Sequence, residues 1–296
     1  MMEPIDPKVI DPGVDRRRRE ALANASASVP FRFKLSAVWL ALFALVATLF
    51  ALSGFDTAWM TANARFIAGG LRVTVLIAVL AIAMAITLAM FGALGRLSTN
   101  PVAYGISGFY TSFFRGTPLI VQMFLIYLAL PQLAQGGPEW LRDLLILDAV
   151  TAGIIALGLN YGAYMTEIFR AGIQSVVGGQ SDAAEALGMN YFQKMRRVIL
   201  PQAVRVIIPP TGNEFIAMMK DTALVSFLGA TASQLEIFRR AQLLGRADNR
   251  NLEALVVSAA IYWLLTSIFT YFQGRLEKKL STGYSRVSTD RVARHV

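Results

Sequence analysis

Three groups of residues in this chain of 296 combine types and spacings that could do chemistry. Glu214 and Asp221 are seven positions apart, which puts both carboxylates on one helical face with Met218 between them, and Lys220 adjoins the second acid. In apolar surroundings such acids have two uses. They can hold the ammonium group of a small solute, or they can form buried ion pairs with Lys220 or Arg115. Asn160, Tyr161 and Tyr164 offer polar groups on a separate segment, but ordinary helix packing accounts for them better. The third group is the polar, helix-prone stretch 178–203, set between long apolar segments. Asp182 followed three residues later by Glu185 has the spacing of a capping box and predicts a helix starting near Asp182. Ala183, Ala184 and Ala186 give that helix small sides for close docking, and Gly188 ends it. A second helical stretch over 192–200 carries Lys194, Arg196 and Arg197 and stops before Pro201. This hairpin reads either as an interfacial amphipathic linker or as a handle for another protein.

Much conventional chemistry is excluded by composition. The chain has no cysteine and one histidine, His295 at its end, so disulfides, thiolate metal sites and histidine catalysis have no residues to use. A membrane-embedded enzyme would have to run on Glu167, Glu214 and Asp221 without a histidine or metal-ligand cluster. No G-x-x-x-x-G-K-[ST] phosphate loop occurs. At 55% hydrophobic and 16% charged, the chain is more apolar than the soluble average. Its net charge of +9 lies mostly in arginines and lysines flanking apolar runs, which points to a membrane and anionic headgroups rather than to nucleic acid.

The elements that must position these residues are membrane spans. Crossing a hydrocarbon core of roughly 30 Å takes about 20 helical residues. Segments 35–55, 73–95 and 254–274 are charge-free and long enough, and 149–166 makes a fourth with Glu167 and Arg170 at its end. Within 102–130, Thr117 and Pro118 have the form of an N-cap followed by proline at the first helical position, which predicts a short leading helix and then a span from near Thr117. A sixth span, 206–228, holds Pro209, Pro210, Glu214, Lys220 and Asp221, and must face protein or an aqueous pathway. Six crossings from a cytoplasmic amino terminus put Arg96, the 170–205 region and the carboxyl tail inside. The segment 234–251 disagrees, being external in this scheme yet holding Arg239, Arg240, Arg246 and Arg250 against Glu236 and Asp248. The first 30 residues read as a disordered tail, and a cleavable signal peptide is not expected.

The hairpin also carries a resemblance. Asp182-Ala183-Ala184, three residues, Gly188, nine residues, Val198, one residue, and Leu200-Pro201 resemble the EAA motif of permease subunits in bacterial ATP-binding-cassette (ABC) importers. F-F-R-G-T-P-L-I-V-Q at 113–122, N-Y-G-A-Y-M-T-E-I-F-R at 160–170 and N-E-F-I-A-M-M-K-D-T-A-L-V-S at 213–226 are similar to the polar amino-acid permeases, the histidine, glutamate, glutamine, arginine and opine type. The likeness runs from about 66 to 280. Asp182 stands where the family usually has Glu, and Val198 where it has Ile; the first span adds to a subunit that in many relatives has five.

The resemblance implies an all-α integral membrane protein, a type I ABC importer transmembrane domain of about six helices with a cytoplasmic coupling hairpin. Its parts would be a disordered cytoplasmic tail at 1–34, an additional transmembrane helix and external linker at 35–64, the permease domain at 65–280, and a cytoplasmic tail at 281–296. Asp182, Ala183, Ala184, Glu185, Leu187, Gly188, Leu200 and Pro201 would couple to a cytoplasmic ABC ATPase present in two copies. Glu214, Met218, Asp221, Asn160 and Tyr164 are the pathway candidates, and Arg115, Gly116, Thr117 and Pro118 shape a helix start. The chain would bind no cofactor, ATP and Mg being held by the ATPase. A second permease subunit, the same or related, a periplasmic or extracellular solute-binding protein and membrane lipid complete the expected partners, in the bacterial inner membrane with both termini cytoplasmic. The alternative is an ion-coupled secondary transporter, which needs buried acids but neither hairpin nor ATPase.

Overall fold

The computed structural model describes residues 30–176, 178–229 and 234–281. Both expected tails lie outside them apart from a few residues, as does His295. The chain divides after Asp56 into two units, which are taken separately.

The first unit holds α1, Phe31–Leu52. Its apolar residues cover every face, as a helix surrounded by lipid requires. Its few hydroxyls are satisfied internally: Ser36 donates to the Arg32 carbonyl at 2.9 Å and Thr48 to that of Ala44 at 2.8 Å.

The second unit is helical throughout its described length. It begins with α2, Thr57–Ala68, which starts in the stretch expected as an external linker and runs past its end at 64. Then come α3, Leu71–Arg96; α4, Pro101–Gly116; α5, Leu119–Leu133; α6, Glu139–Leu145; and α7, Ala149–Gln174. Asn100 and Asp148 cap α4 and α7, each accepting two backbone N–H groups, and Pro101 takes the first position of α4, where its missing N–H costs nothing. After α7 follow the short hairpin helices α8, Gly179–Ala186, and α9, Tyr191–Lys194. The long helices α10, Leu200–Asp221, and α12, Asn251–Ser281, close the fold, with α11, Ile237–Ala247, between them.

Packing centres on α3 against α7. Ala81, Ala85, Ala89 and Ala93 repeat every four residues along α3 and are fully buried. The helices approach so closely that a Cβ on Gly92 would lie 2.3 Å from Thr166 Oγ1, and one on Gly158 2.7 Å from the Met84 sulfur. Lipid tails are as apolar as leucine, so the attraction here is close van der Waals contact. The small residues of the second and fourth expected spans are therefore packing positions. Pro209 and Pro210 lie inside α10, and Gln273 of α12 ties the two helices there, its Nε2 donating to the Pro209 carbonyl at 3.0 Å and to Asn213 Oδ1 at 2.9 Å.

By length and composition, α1, α3 and α12 can each cross a membrane. Two bent pairs, α4 with α5 at 108° and α6 with α7 at 68°, raise the tally to five if each is one span. The sixth expected segment is helical too, running through α10 and a tighter 3₁₀ stretch at Thr222–Leu228, but it is outside that tally.

The bend between α4 and α5 corrects one expectation. Thr117 caps the carboxyl end of α4 and does not start α5, whose N-cap is Pro118; both residues are extended. The Thr117 hydroxyl donates to the Phe113 carbonyl at 2.9 Å and accepts from Gln122 Nε2 at 2.7 Å, so it is spent on the orphan carbonyls of α4. The arginines of 234–251 also have local uses. Arg240 donates to the carbonyls of Phe66 (3.0 Å) and Leu235 (3.2 Å), and Arg250 pairs with Glu253 at 3.2 Å.

Candidate coupling hairpin and pathway cluster

The hairpin joins α7 to α10. The sequence predicts a helix beginning at an Asp182 cap, whereas α8 begins three residues earlier, at Gly179. Gly178 turns the chain with φ 145° and ψ −137°, a conformation open only to glycine, and its carbonyl accepts from Ser181 and Asp182. Asp182 is consequently inside the first turn, where its charge complements the helix dipole but its side chain caps nothing. The reciprocal capping box of this region is Asn190 with Gln193 at the start of α9, at 2.9 and 3.1 Å.

Gly188 ends α8 as expected. With φ +74°, it lets its own N–H reach the Glu185 carbonyl (2.9 Å) and that of Met189 reach Ala184 (3.1 Å), a complete Schellman closure. Lys194 on the second arm forms an ion pair with Glu185, and Gln202 Nε2 donates to Gln180 Oε1 at 3.0 Å, fastening α8 to the start of α10. Ser181 and Ala184 face inward, while Asp182, Ala183, Glu185, Leu187 and Gly188 face outward. Leu187 is 78% exposed, and Tyr191 and Phe192 are exposed beside it.

Pro201 does not stop the second arm. A five-residue π turn, Met195–Ile199, precedes it, and the helix runs through Leu200 and Pro201 into α10. The wider turn relocates the bond a proline cannot donate and relieves its ring from the preceding carbonyl. The same arrangement recurs in α5, where a π turn at Leu125–Ala129 precedes Pro131.

The acids of α10 meet α7. Tyr161 donates its hydroxyl to Asp221 Oδ2 at 2.8 Å and lies within electrostatic reach of Glu214 and Tyr164, as Glu214 does of Asp221. Glu214 and Asp221 are half-buried and Lys220 is exposed. Among the described residues, none of Glu214, Lys220, Asp221 and Arg115 makes an ion pair with another, so the expectation of buried pairs among them is not met. Met218 is 0% exposed and belongs to the apolar core. Asn160 is also buried: its Nδ2 donates to the Phe114 carbonyl and to Gln122 Oε1, both at 3.0 Å. It pins the α4–α5 bend with Gln122, a residue sequence reasoning passed over within F-F-R-G-T-P-L-I-V-Q. Tyr164 is exposed, under the Arg115 guanidinium at 5.4 Å. Gly116 and Pro118 lie at the bend, both exposed.

A second buried acid went unnoticed. Glu236 is 1% exposed and accepts from Ser226, from Tyr262 at 2.5 Å, and from the backbone N–H groups of Phe238 (2.8 Å) and Arg239 (2.5 Å). It caps α11 and ties it to α12. The only available signal was an acid three residues before an arginine pair, which reads as an ordinary surface charge.

An all-helical membrane protein with an exposed polar hairpin between two long helices is built as a transport component, and the chain belongs to the family of binding-protein-dependent transport system inner membrane components, whose model matches residues 85–282. Among individual proteins it is similar to the probable amino-acid permease protein YxeN of Bacillus subtilis, 40% identical over 214 residues that cover 72% of this chain and 91% of that one. It is 37% identical over 217 residues to the arginine transport system permease protein ArtQ of the same organism, covering 73% and 93%. A crystal structure of an amino acid ABC transporter with histidines superposes with a TM-score of 0.66 at 36% identity, covering 76% of this chain and 98% of that one. α1 lies ahead of the residues that the family model matches.

Proposed function

We propose that this chain is the permease subunit of an ATP-driven importer of a polar amino acid. With a second permease subunit, the same or related, it forms a transmembrane pathway; a solute-binding protein delivers the substrate, and two cytoplasmic ATPase copies holding ATP and Mg drive the cycle. The chain crosses the bacterial inner membrane six times, α1 and the α10 segment included, with both termini and the hairpin on the cytoplasmic side. Names of the relatives and the 36% identical transporter structure support the substrate class.

The observation that carries this reading is the hairpin surface. Leu187, Tyr191 and Phe192 stand exposed on a polar segment, beside the outward residues Asp182, Ala183 and Glu185 and the Gly188 closure. A solvated linker has no use for three large apolar side chains in water, whereas a cleft on a partner would bury them. Ala184 seats α8 on its own chain, and Leu200 with Pro201 carries movement of the hairpin into α10. Glu214, Asp221 and Tyr164, at the α7–α10 contact, serve the pathway, where acids free of ion pairs suit an ammonium group.

The test is co-purification with candidate ATPase subunits, comparing wild type with a variant scrambled over 182–188, together with uptake under ATP depletion or an uncoupler. A stable ATPase lost only in the variant, and uptake that stops on ATP depletion, are expected. Uptake that persists without ATP but collapses with the uncoupler would return the ion-coupled transporter.

A further inference from the structure

A polar cleft of about 470 Å³ lies beside α3, α4 and α7, lined chiefly by Arg96, Thr111, Ser112, Arg115, Tyr164 and Glu167. Its charges do not cancel. Glu167 is gripped by Arg170 through two contacts of 2.8 Å and lies 3.9 Å from Arg96, so one carboxylate already serves two guanidinium groups. The Arg96 Nε is buried without a hydrogen-bond partner. Arg115 stacks on Tyr164 and, among the described residues, meets no acid. Tyr164 also lies one helical turn from Tyr161, which holds Asp221. Of the arginines lining the cleft, Arg115 is thus the one without an ion-pair partner among the described residues.

An uncompensated guanidinium is costly near lipid, and a carboxylate relieves it. We propose that Arg115 is a specificity-determining residue that binds the α-carboxylate of the transported amino acid, with the Ser112 hydroxyl beside it. This rests on the importer reading and adds to it a requirement for a free carboxylate. A guanidinium suits that group because its planar donors match two carboxylate oxygens at once. The same chemistry would hold an anionic lipid phosphate, which the experiment separates.

The assembled permease–ATPase complex, in nanodiscs of zwitterionic lipid and without binding protein, is titrated with L-arginine and L-glutamine and with their α-carboxamides. Wild type binds at least one free acid at least about tenfold tighter than its amide, the factor expected of one charge-assisted hydrogen-bond site. In Arg115→Met and in Arg115→Gln, which keeps a polar side chain should the first fail to assemble, acid and amide bind alike. Either variant retaining the tenfold preference overturns the assignment, as does wild type that fails to distinguish acid from amide. An effect of the substitutions that exists only after phosphatidylglycerol is added assigns the cleft to lipid and likewise overturns it. Failure of the importer reading has a separate signature, uptake by wild type that survives ATP depletion.

Discussion

Gly188 offers a way to separate backbone geometry from surface fit in the hairpin. Its φ of +74° is left-handed, and a Cβ built there would meet nothing within 4 Å. Within this chain, then, an added side chain is penalised through the backbone alone, by about 1–2 kcal/mol for an ordinary L-residue. That energy acts against the two closing hydrogen bonds at Glu185 and Ala184, and it corresponds to roughly a 5- to 30-fold loss of the closed hairpin. Asparagine tolerates the left-handed region and should lose little, alanine should lose the full amount, and branched valine more. The assay is ATPase activity stimulated by loaded binding protein in proteoliposomes, with co-purified ATPase quantified alongside. Stimulation should rank Gly188, then Asn, then Ala, then Val, with membrane insertion unchanged. Asparagine and valine are of comparable bulk. If both abolished stimulation while alanine matched wild type, Gly188 would be avoiding a clash with the partner, and the backbone argument would be refuted.

Three other perturbations probe the packing and the buried polar groups. Tyr161→Phe removes the donor from a half-buried carboxylate and should destabilise the protein by about 1–3 kcal/mol, seen as a lower melting temperature of the detergent-solubilised complex; an unchanged one would mean that Asp221 is satisfied otherwise. Gly70→Ala would drive a Cβ to within 2.4 Å of the Ile237 backbone nitrogen and should sharply reduce folded yield. Gly105→Ala, in open space within α4, should stabilise by about 0.5–1 kcal/mol, and the opposite order of the two would discredit the packing described for α3. Glu236→Gln leaves the carboxylate's four donors with a single acceptor oxygen and should raise protease sensitivity around α11; wild-type resistance would show that this network is dispensable.

Legibility in the sequence depended on distance along the chain. The apolar lengths of α1, α3 and α12 and the turn at Gly188 are local, and a pattern of neighbours encodes them. The α8 start was misread because Asp182 and Glu185 satisfy the capping spacing as well as Asn190 and Gln193 do, and only the Gly178 backbone decides between them. Pro201 looked like a stop because a π turn leaves no mark in hydrophobic periodicity. The Glu214–Asp221 face was legible, but the partner of Asp221 was not, since Tyr161 lies 60 residues away. Glu236 was hidden for the same reason: Ser226 and Tyr262 come from either side of α11, and nothing next to it in sequence announces burial.

The π turn at Met195–Ile199 also fixes which way the hairpin points. Each residue of an α-helix advances the chain by about 100° around the axis, so a turn that holds one extra residue rotates the hairpin by that amount relative to α10. Deleting a single residue there would restore an unbroken helix and swing Leu187, Tyr191 and Phe192 to a different compass bearing about α10, with α8 and its closure still folded. The heading of that surface is thus stored as a count of residues, and one codon gained or lost would be enough to re-aim it.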